Sequence, residues 1–315
     1  MMNYKLCLIV PCYMEEEIIM DTAKCLKNEV RRLMENGSIT EDSRILFVDD
    51  GSTDETWSII KEMHERDSVF MGIRLSHNQG KESAMMAGMM YVKNHFDCVI
   101  TLDADMQDDI SVMEQFLIKY SEGCHVVYGV RKSRDRDTWF KRNTAQIFYK
   151  VMNMMGAEIK YNHADYRLLS SKALRALEQY KEVNLFLRGI VPLIGLKSDV
   201  VYHDRLERNA GSSKFPLKKL FSFAFEGITS FSIKPLRMIS CMGIFFSLIS
   251  ILGLGYALGS YFFGFTVRGW TAIVCSIWLL GGIQLLCIGM VGEYIGKIYG
   301  EVKQRPRYFI DEVLK

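Results

Sequence analysis

Three short apolar runs, Leu6 to Val10, Ile45 to Val48 and Val99 to Leu102, show no polar alternation. Strands covered on one face alternate polar and apolar residues, so uninterrupted runs predict strands buried on both faces. Helical spacing fills the gaps. The first helix is expected after Tyr13 and before the Asn36-Gly37 turn, the second after Ser52 and Thr53 as N-caps, running to about Arg66. Strand, helix, strand, helix predicts an α/β fold with a mostly parallel sheet. Polar residues follow each strand: Tyr13 and Glu15, then Asp49 and Asp50, then Asp103 and Asp105. Ligands bind at the carboxyl ends of the strands in such sheets, so these clusters are expected to share one edge.

The last third of the chain reads differently. Met238 to Phe265 holds no charged residue, nor does Gly269 to Gly292. Each run exceeds the ~20 residues that cross a hydrocarbon core, which predicts a hairpin of two transmembrane helices. Its tip, Gly264 to Gly269, carries the single cation Arg268, while Lys214, Lys218, Lys219, Lys234 and Arg237 precede the pair and Lys297, Lys303, Arg305 and Arg307 follow it. The positive-inside rule then places both flanks in the cytoplasm, so a multi-pass protein of the cell membrane with both termini cytoplasmic is expected. Between Phe215 and Pro235, apolar residues from Leu217 to Ile228 recur at helical spacing beside Lys218 and Lys219. This fits an interfacial helix on the membrane, or equally a helix packed on the first domain. The expected organisation is a first domain over 1–213, a juxtamembrane segment over 214–235, the hairpin over 236–295 and a cytoplasmic tail over 296–315.

Charge narrows the partners. Lys and Arg total 39 against 37 Asp and Glu, a net charge of +2, without the basic excess expected of a nucleic-acid binder. The eight cysteines form no CxxC pair or His-spaced cluster, so free thiols in a reducing compartment are expected. The apolar run at the N-terminus is shorter than the ~7 to 15 residues of a signal-peptide core.

Asp103, Asp105 and Gln107 stand at alternate positions after a strand, and an extended backbone would point all three to one side. Hard oxygens of this kind suit Mg2+ or Mn2+ with positions left open for water or phosphate, although a solvated acidic turn has the same appearance. In Val48-Asp49-Asp50-Gly51-Ser52-Thr53-Asp54, carboxylates at a strand end could hold base or ribose hydroxyls beside a glycine that permits close approach. Helix capping is the alternative.

Taken together and in order, Pro11-Cys12-Tyr13-Met14-Glu15-Glu16, the Asp49 segment, Asn78-Gln79-Gly80-Lys81 and Asp103-Ala104-Asp105-Met106-Gln107 resemble family 2 glycosyltransferases with a GT-A fold. Ala164-Asp165-Tyr166-Arg167-Leu168, Arg188-Gly189, Arg208 to Lys214 and the paired apolar runs narrow the resemblance to the polyprenyl-phosphate glycosyltransferases. The resemblance implies that Pro11, Tyr13, Glu15 and Asp50 contact the nucleoside, with Asp49 a neighbour. It implies that Asp103, Asp105 and Gln107 hold Mg2+ or Mn2+ and the diphosphate, and that Lys81 lies near the donor or forms a structural salt bridge. Asp165 matches an acidic position near the reacting groups, where it orients sugar or acceptor or else pairs with Arg167. Met14 departs from the family's usual asparagine, and Asp109-Ile110 replaces the usual proline.

An anionic acceptor needs cations. Arg131 and Arg142 match cationic positions of the family, Arg208 and Lys214 come next, and arginine's planar fork suits phosphate oxygens. The implied reaction is inverting transfer of one sugar, glucose on a uridine carrier being the expected donor, to a polyprenyl (undecaprenyl) phosphate at the cytoplasmic membrane face. GDP-mannose or UDP-GlcNAc as donor, or a membrane-anchored nucleotide-sugar-binding protein without turnover, are the alternatives. The tail and the membrane helices could also pack against neighbouring protomers.

Overall fold

Every residue of the first strand, β1 (Leu6–Cys12), is buried. The computed structural model describes residues 3–131, 163–183, 185–204 and 269–315, with isolated positions between 236 and 252. In it, Leu6, Leu8 and Val10 face Ile19, Ala23, Leu26, Val30 and Leu33 of α1 (Ile19–Glu35) in the main core. The other face of β1 is covered by α3 (Lys81–Val92). Gly88 of this helix lies so close that an added Cβ would stand 2.8 Å from methyls of Ile9 and Val48. Cover on both faces is why the strand reads as a continuous apolar run.

The remaining elements are β2 (Arg44–Asp49), α2 (Thr56–Arg66), β3 (Phe70–Leu75), β4 (Cys98–Thr101), α4 (Met113–Ser121), β5 (Val126–Arg131), β6 (His163–Ser170), α5 (Ser171–Leu177), α6 (Leu187–Leu193), β7 (Ser198–His203), α7 (Trp270–Val302) and β8 (Ile310–Leu314). They build one eight-stranded sheet in the order β7-β5-β6-β4-β1-β2-β3-β8. β4, β1, β2 and β3 are parallel, as are β5 and β7, whereas β6 and β8 run antiparallel to their neighbours. This is the GT-A-like, mostly parallel α/β sheet. From β1 the chain winds outward through β2 to β3, then returns through α3 to β4 on the far side of β1. The carboxyl ends of β1 and β4 therefore flank a topological switch point, where a crevice opens in sheets of this type.

Two local expectations are corrected. The second helix starts at Thr56 behind Glu55, so neither Ser52 nor Thr53 is its N-cap; the Ser52 hydroxyl instead accepts the Met14 N–H at 3.0 Å. The first helix, Ile19–Glu35, falls within its expected bounds after Tyr13 and before Asn36. Asp103 to Gln107 is not extended, because Ala104 and Asp105 form a turn and Met106 sits at φ 50°. Alternation along a strand therefore does not describe these three side chains.

Gln304 to Lys315, part of the expected tail, belongs to the same compact unit as the sheet. β8 closes the sheet edge on β3, with Trp57 Nε1 donating to Glu312 at 3.0 Å and Lys61 pairing with Glu312 at 2.8 Å. Covering an edge removes a template for unwanted strand pairing. The two-helix membrane hairpin is not established by the fold. Most of 238–265 and all of 214–235 lie outside the described residues, and among described residues no helix is long and apolar enough to cross a membrane. α7 is one continuous 33-residue helix in the second compact unit, with Ile273, Ile277, Leu285 and Ile288 exposed.

Candidate functional site

The crevice beside β1 is built by loops stapled to one another. After β1 the Met14 and Glu15 N–H groups donate to Ser52 Oγ and Thr56 Oγ1, both at 3.0 Å, and the Glu55 N–H donates to Glu16 at 2.9 Å. These bonds leave Tyr13 46% exposed at the rim. Met14 adopts φ 56°, a left-handed conformation that asparagine tolerates better than methionine. Pro11 is buried within β1, opposite Val48 of β2.

Asp49 and Asp50 act on the protein's own backbone. Asp49 is fully buried, its Oδ1 accepting the Ser52 N–H at 3.1 Å while Arg74 stands 3.7 Å from Oδ2. Asp50 accepts the N–H groups of Gln79 and Gly80, one on each oxygen, both at 2.8 Å. Burial raises the pKa of each above the ordinary carboxylate value, against the pull of these hydrogen bonds. Gly51, at φ 70°, serves the same joint: an added Cβ would lie 2.6 Å from the His77 backbone. The close approach expected at this glycine is that of the chain's own 77–78 segment. Asp50 therefore fixes the start of α3, and with it Lys81.

Lys81 connects the next two clusters. Its Nζ lies 2.5 Å from Asp103 Oδ1 and 2.6 Å from Asp165 Oδ2. Burial disfavours the ammonium, but the two carboxylates outweigh it and raise its pKa above the usual lysine value. Burial likewise raises Asp103, with Lys81 pulling the other way. Lys81 and Asp103 keep 40% and 34% of their side-chain surface open, whereas Asp165 keeps 5%.

Asp165 is a hub. Its Oδ1 accepts from Arg167 Nη2 and Arg188 Nε, both at 2.9 Å, and its Oδ2 accepts from Arg188 Nη2 at 3.1 Å as well as from Lys81. Burial opposes ionisation, yet Lys81, Arg188 and Arg167 together hold this carboxyl well below the ordinary range. The salt-bridge alternatives for Lys81 and Asp165 are thus both realised in one cluster. A carboxylate so stabilised is a weak proton acceptor, and its evident action is to orient three cations.

Asp105 is partly exposed and Gln107 buried on the turn that Asp103 opens; the Gln107 N–H lies 3.4 Å from Asp105 Oδ1. The turn is anchored by Thr22 of α1, whose hydroxyl donates to the Ala104 carbonyl at 2.7 Å. Among described residues no three His, Cys, Asp or Glu side chains come together as a metal site. Two carboxylates and an amide on one turn, with Asp105 partly exposed, still supply the hard-oxygen donors that suit Mg2+ or Mn2+.

Of the expected acceptor cations, Arg131 is partly exposed at the end of β5 and donates through Nη2 to the buried Asp108 at 3.1 Å. Arg142, Arg208 and Lys214 lie outside the described residues. Thr22, Asp108 and Arg188 were given no role from sequence. Only Arg188, within the Arg-Gly pair of the resemblance, carried any signal.

Residues 7–178 match the family described as glycosyl transferase family 2. The chain is 52% identical over 307 residues to the uncharacterized glycosyltransferase YkoT of Bacillus subtilis (strain 168), covering 97% of this chain and 91% of that protein. It is 40% identical over 308 residues to the SfII prophage-derived bactoprenol glucosyl transferase of Shigella flexneri, covering 97% of each. A prophage bactoprenol glucosyl transferase homolog of Escherichia coli (strain K12) is 39% identical over 313 residues, with 99% of this chain and 100% of that protein covered. The chain belongs to glycosyl transferase family 2.

Proposed function

We propose that this enzyme transfers one glucose from UDP-glucose to undecaprenyl phosphate, or a closely related polyprenyl phosphate, at the cytoplasmic face of the cell membrane. The observation that carries the reading is the joining of Asp50, Lys81, Asp103 and Asp165 at the switch point, in a chain that aligns end to end with proteins named bactoprenol glucosyl transferases.

The chemistry follows from the acceptor. A lipid phosphate is already anionic at neutral pH, so its oxygen attacks the anomeric carbon without first losing a proton. The bond from that carbon to the nucleoside diphosphate breaks, its electron pair leaves with the diphosphate, and the configuration inverts. The protein's task is then to position two anions and balance their charge. Tyr13 and Glu15 line the rim where the nucleoside would lie. Lys81 and Arg188, oriented by Asp165, supply positive charge beside the breaking bond, and Arg131, oriented by Asp108, supplies it toward the acceptor. Asp103, Asp105 and Gln107 would hold Mg2+ or Mn2+, which when bound offsets charge on the departing diphosphate. Arg142, Arg208 and Lys214 complete the acceptor's cations in this reading.

We place the uncharged runs Met238 to Phe265 and Gly269 to Gly292 in the membrane, with both flanks cytoplasmic. Supporting this, α7 spans the second run without a break and exposes Ile273, Ile277, Leu285 and Ile288. Self-association through these helices belongs to the same reading.

The test is transfer in purified membranes with UDP-glucose, GDP-mannose and UDP-GlcNAc offered separately with undecaprenyl phosphate, Mg2+ or Mn2+, and an Asp105→Ala control. A lipid-linked glucose that the variant fails to make supports the proposal. Nucleotide binding without transfer from any donor would instead indicate a binding protein.

A further inference from the structure

Lys81 occupies an unusual place for a residue at a donor site. Asp165 already accepts three N–H groups from Arg167 and Arg188, so it is neutralised without the lysine. Asp103 is placed differently: among the described residues its buried Oδ1 has Lys81 Nζ, at 2.5 Å, as its ion-pair partner. The lysine is held at its base, because Asp50 ties the N–H groups of Gln79 and Gly80 just before it. A lysine stem is intrinsically flexible, and this side chain keeps 40% of its surface open.

An ammonium and a divalent cation cannot share one carboxylate without strong mutual repulsion. Asp103 is also the first carboxylate of the turn that would hold the metal. We propose that Lys81 is a resident counter-cation which competes with the divalent metal for Asp103, and releases it only when a nucleoside diphosphate offers the ammonium another anion. The inference rests on the donor-site reading above and adds an order to it: metal binds weakly to the empty crevice and tightly once the diphosphate is present. Because binding free energies are reciprocal, the nucleotide must gain from the metal by the same factor.

The test measures Mn2+ binding to the full-length, detergent-purified protein by electron paramagnetic resonance of the free ion, with and without UDP. For the wild type, UDP is expected to tighten Mn2+ binding by about tenfold or more, inside the usual range of coupling between sites. For Lys81→Met, Mn2+ without UDP is expected to bind about fivefold or more tighter than to the wild type, with a correspondingly smaller gain from UDP. Lys81→Arg, which keeps the charge, is expected to behave as the wild type. Lys81→Met binding Mn2+ no tighter than the wild type without UDP would overturn the inference and leave the donor site standing. The wild type alone also decides: equal Mn2+ affinity with and without UDP overturns the competition, and no Mn2+ binding in either condition overturns the metal site as well.

Discussion

Asp165→Asn is the most informative single change, because it removes one negative charge and almost no volume. The carboxylate lies against Arg167, which is 1% exposed, and the substitution leaves that guanidinium facing a neutral amide oxygen and the Leu187 carbonyl at 3.2 Å, with the paired negative charge gone. Removing one member of a buried ion pair costs about 3–5 kcal/mol. Lys81 and Arg188 are far more exposed and add little, since water screens them. At roughly 2–4 °C per kcal/mol for a unit of this size, the melting temperature of the catalytic unit is expected to fall by about 6–20 °C. Adding Arg167→Met removes the stranded charge as well, and is expected to restore at least half of the loss, because deleting both buried charges is often close to neutral. Thermal unfolding followed by near-ultraviolet circular dichroism reads both variants. Transfer activity should fall in Asp165→Asn together with stability, since Lys81 and Arg188 lose their common anchor. A variant that melts within about 2 °C of the wild type yet loses turnover would refute this account and make Asp165 a direct participant in the chemistry.

Further predictions concern pH and packing. The Asp165 pKa is depressed by folding, so its stabilising contribution is complete above the unfolded value of about 4 and is lost as pH falls through the lower folded value. Acid unfolding of the wild type should therefore show a steep loss below about pH 4 that is shallower in Asp165→Asn, and an identical acid limb would contradict the hub. Met14→Asn relieves a left-handed backbone at φ 56° and should raise stability by up to about 1 kcal/mol, measured by denaturant titration; a decrease would show that the Met14 side chain contributes more than its strain. Gly88→Ala forces a methyl to within 2.8 Å of Ile9 and Val48 and should cost about 1–3 kcal/mol by the same titration, whereas a neutral result would mean that α3 can shift outward.

What the sequence revealed depended on how local each cause was. β1, β2 and β4 were legible because cover on both faces leaves an apolar run that needs no knowledge of the partner strand. β8 was not, because Ile310–Leu314 gains its meaning from β3, over 230 residues earlier, through the contacts of Glu312 with Trp57 and Lys61. At the site, motif order located the loops after β1, β2 and β4, but not what each carboxylate does there. Asp49 and Asp50 read as ligand groups, and the backbone N–H groups of Ser52, Gln79 and Gly80 that they also satisfy were not legible, because those contacts are set by how loops meet. The alternation of Asp103, Asp105 and Gln107 assumed an extended backbone, and the turn at Ala104-Asp105 with Met106 at φ 50° breaks it. Thr22, Asp108 and Arg188 act across 82, 23 and 23 residues of sequence, beyond the reach of any periodicity.

The central claim is that the acceptor is a lipid already carrying the attacking phosphate. It is tested most directly by offering purified protein labelled UDP-glucose with either undecaprenyl phosphate or undecaprenol. The account predicts glucose on the phosphate lipid alone, with the anomeric configuration inverted. Transfer to undecaprenol, or a phosphate-linked product that retains the donor's configuration, would contradict it.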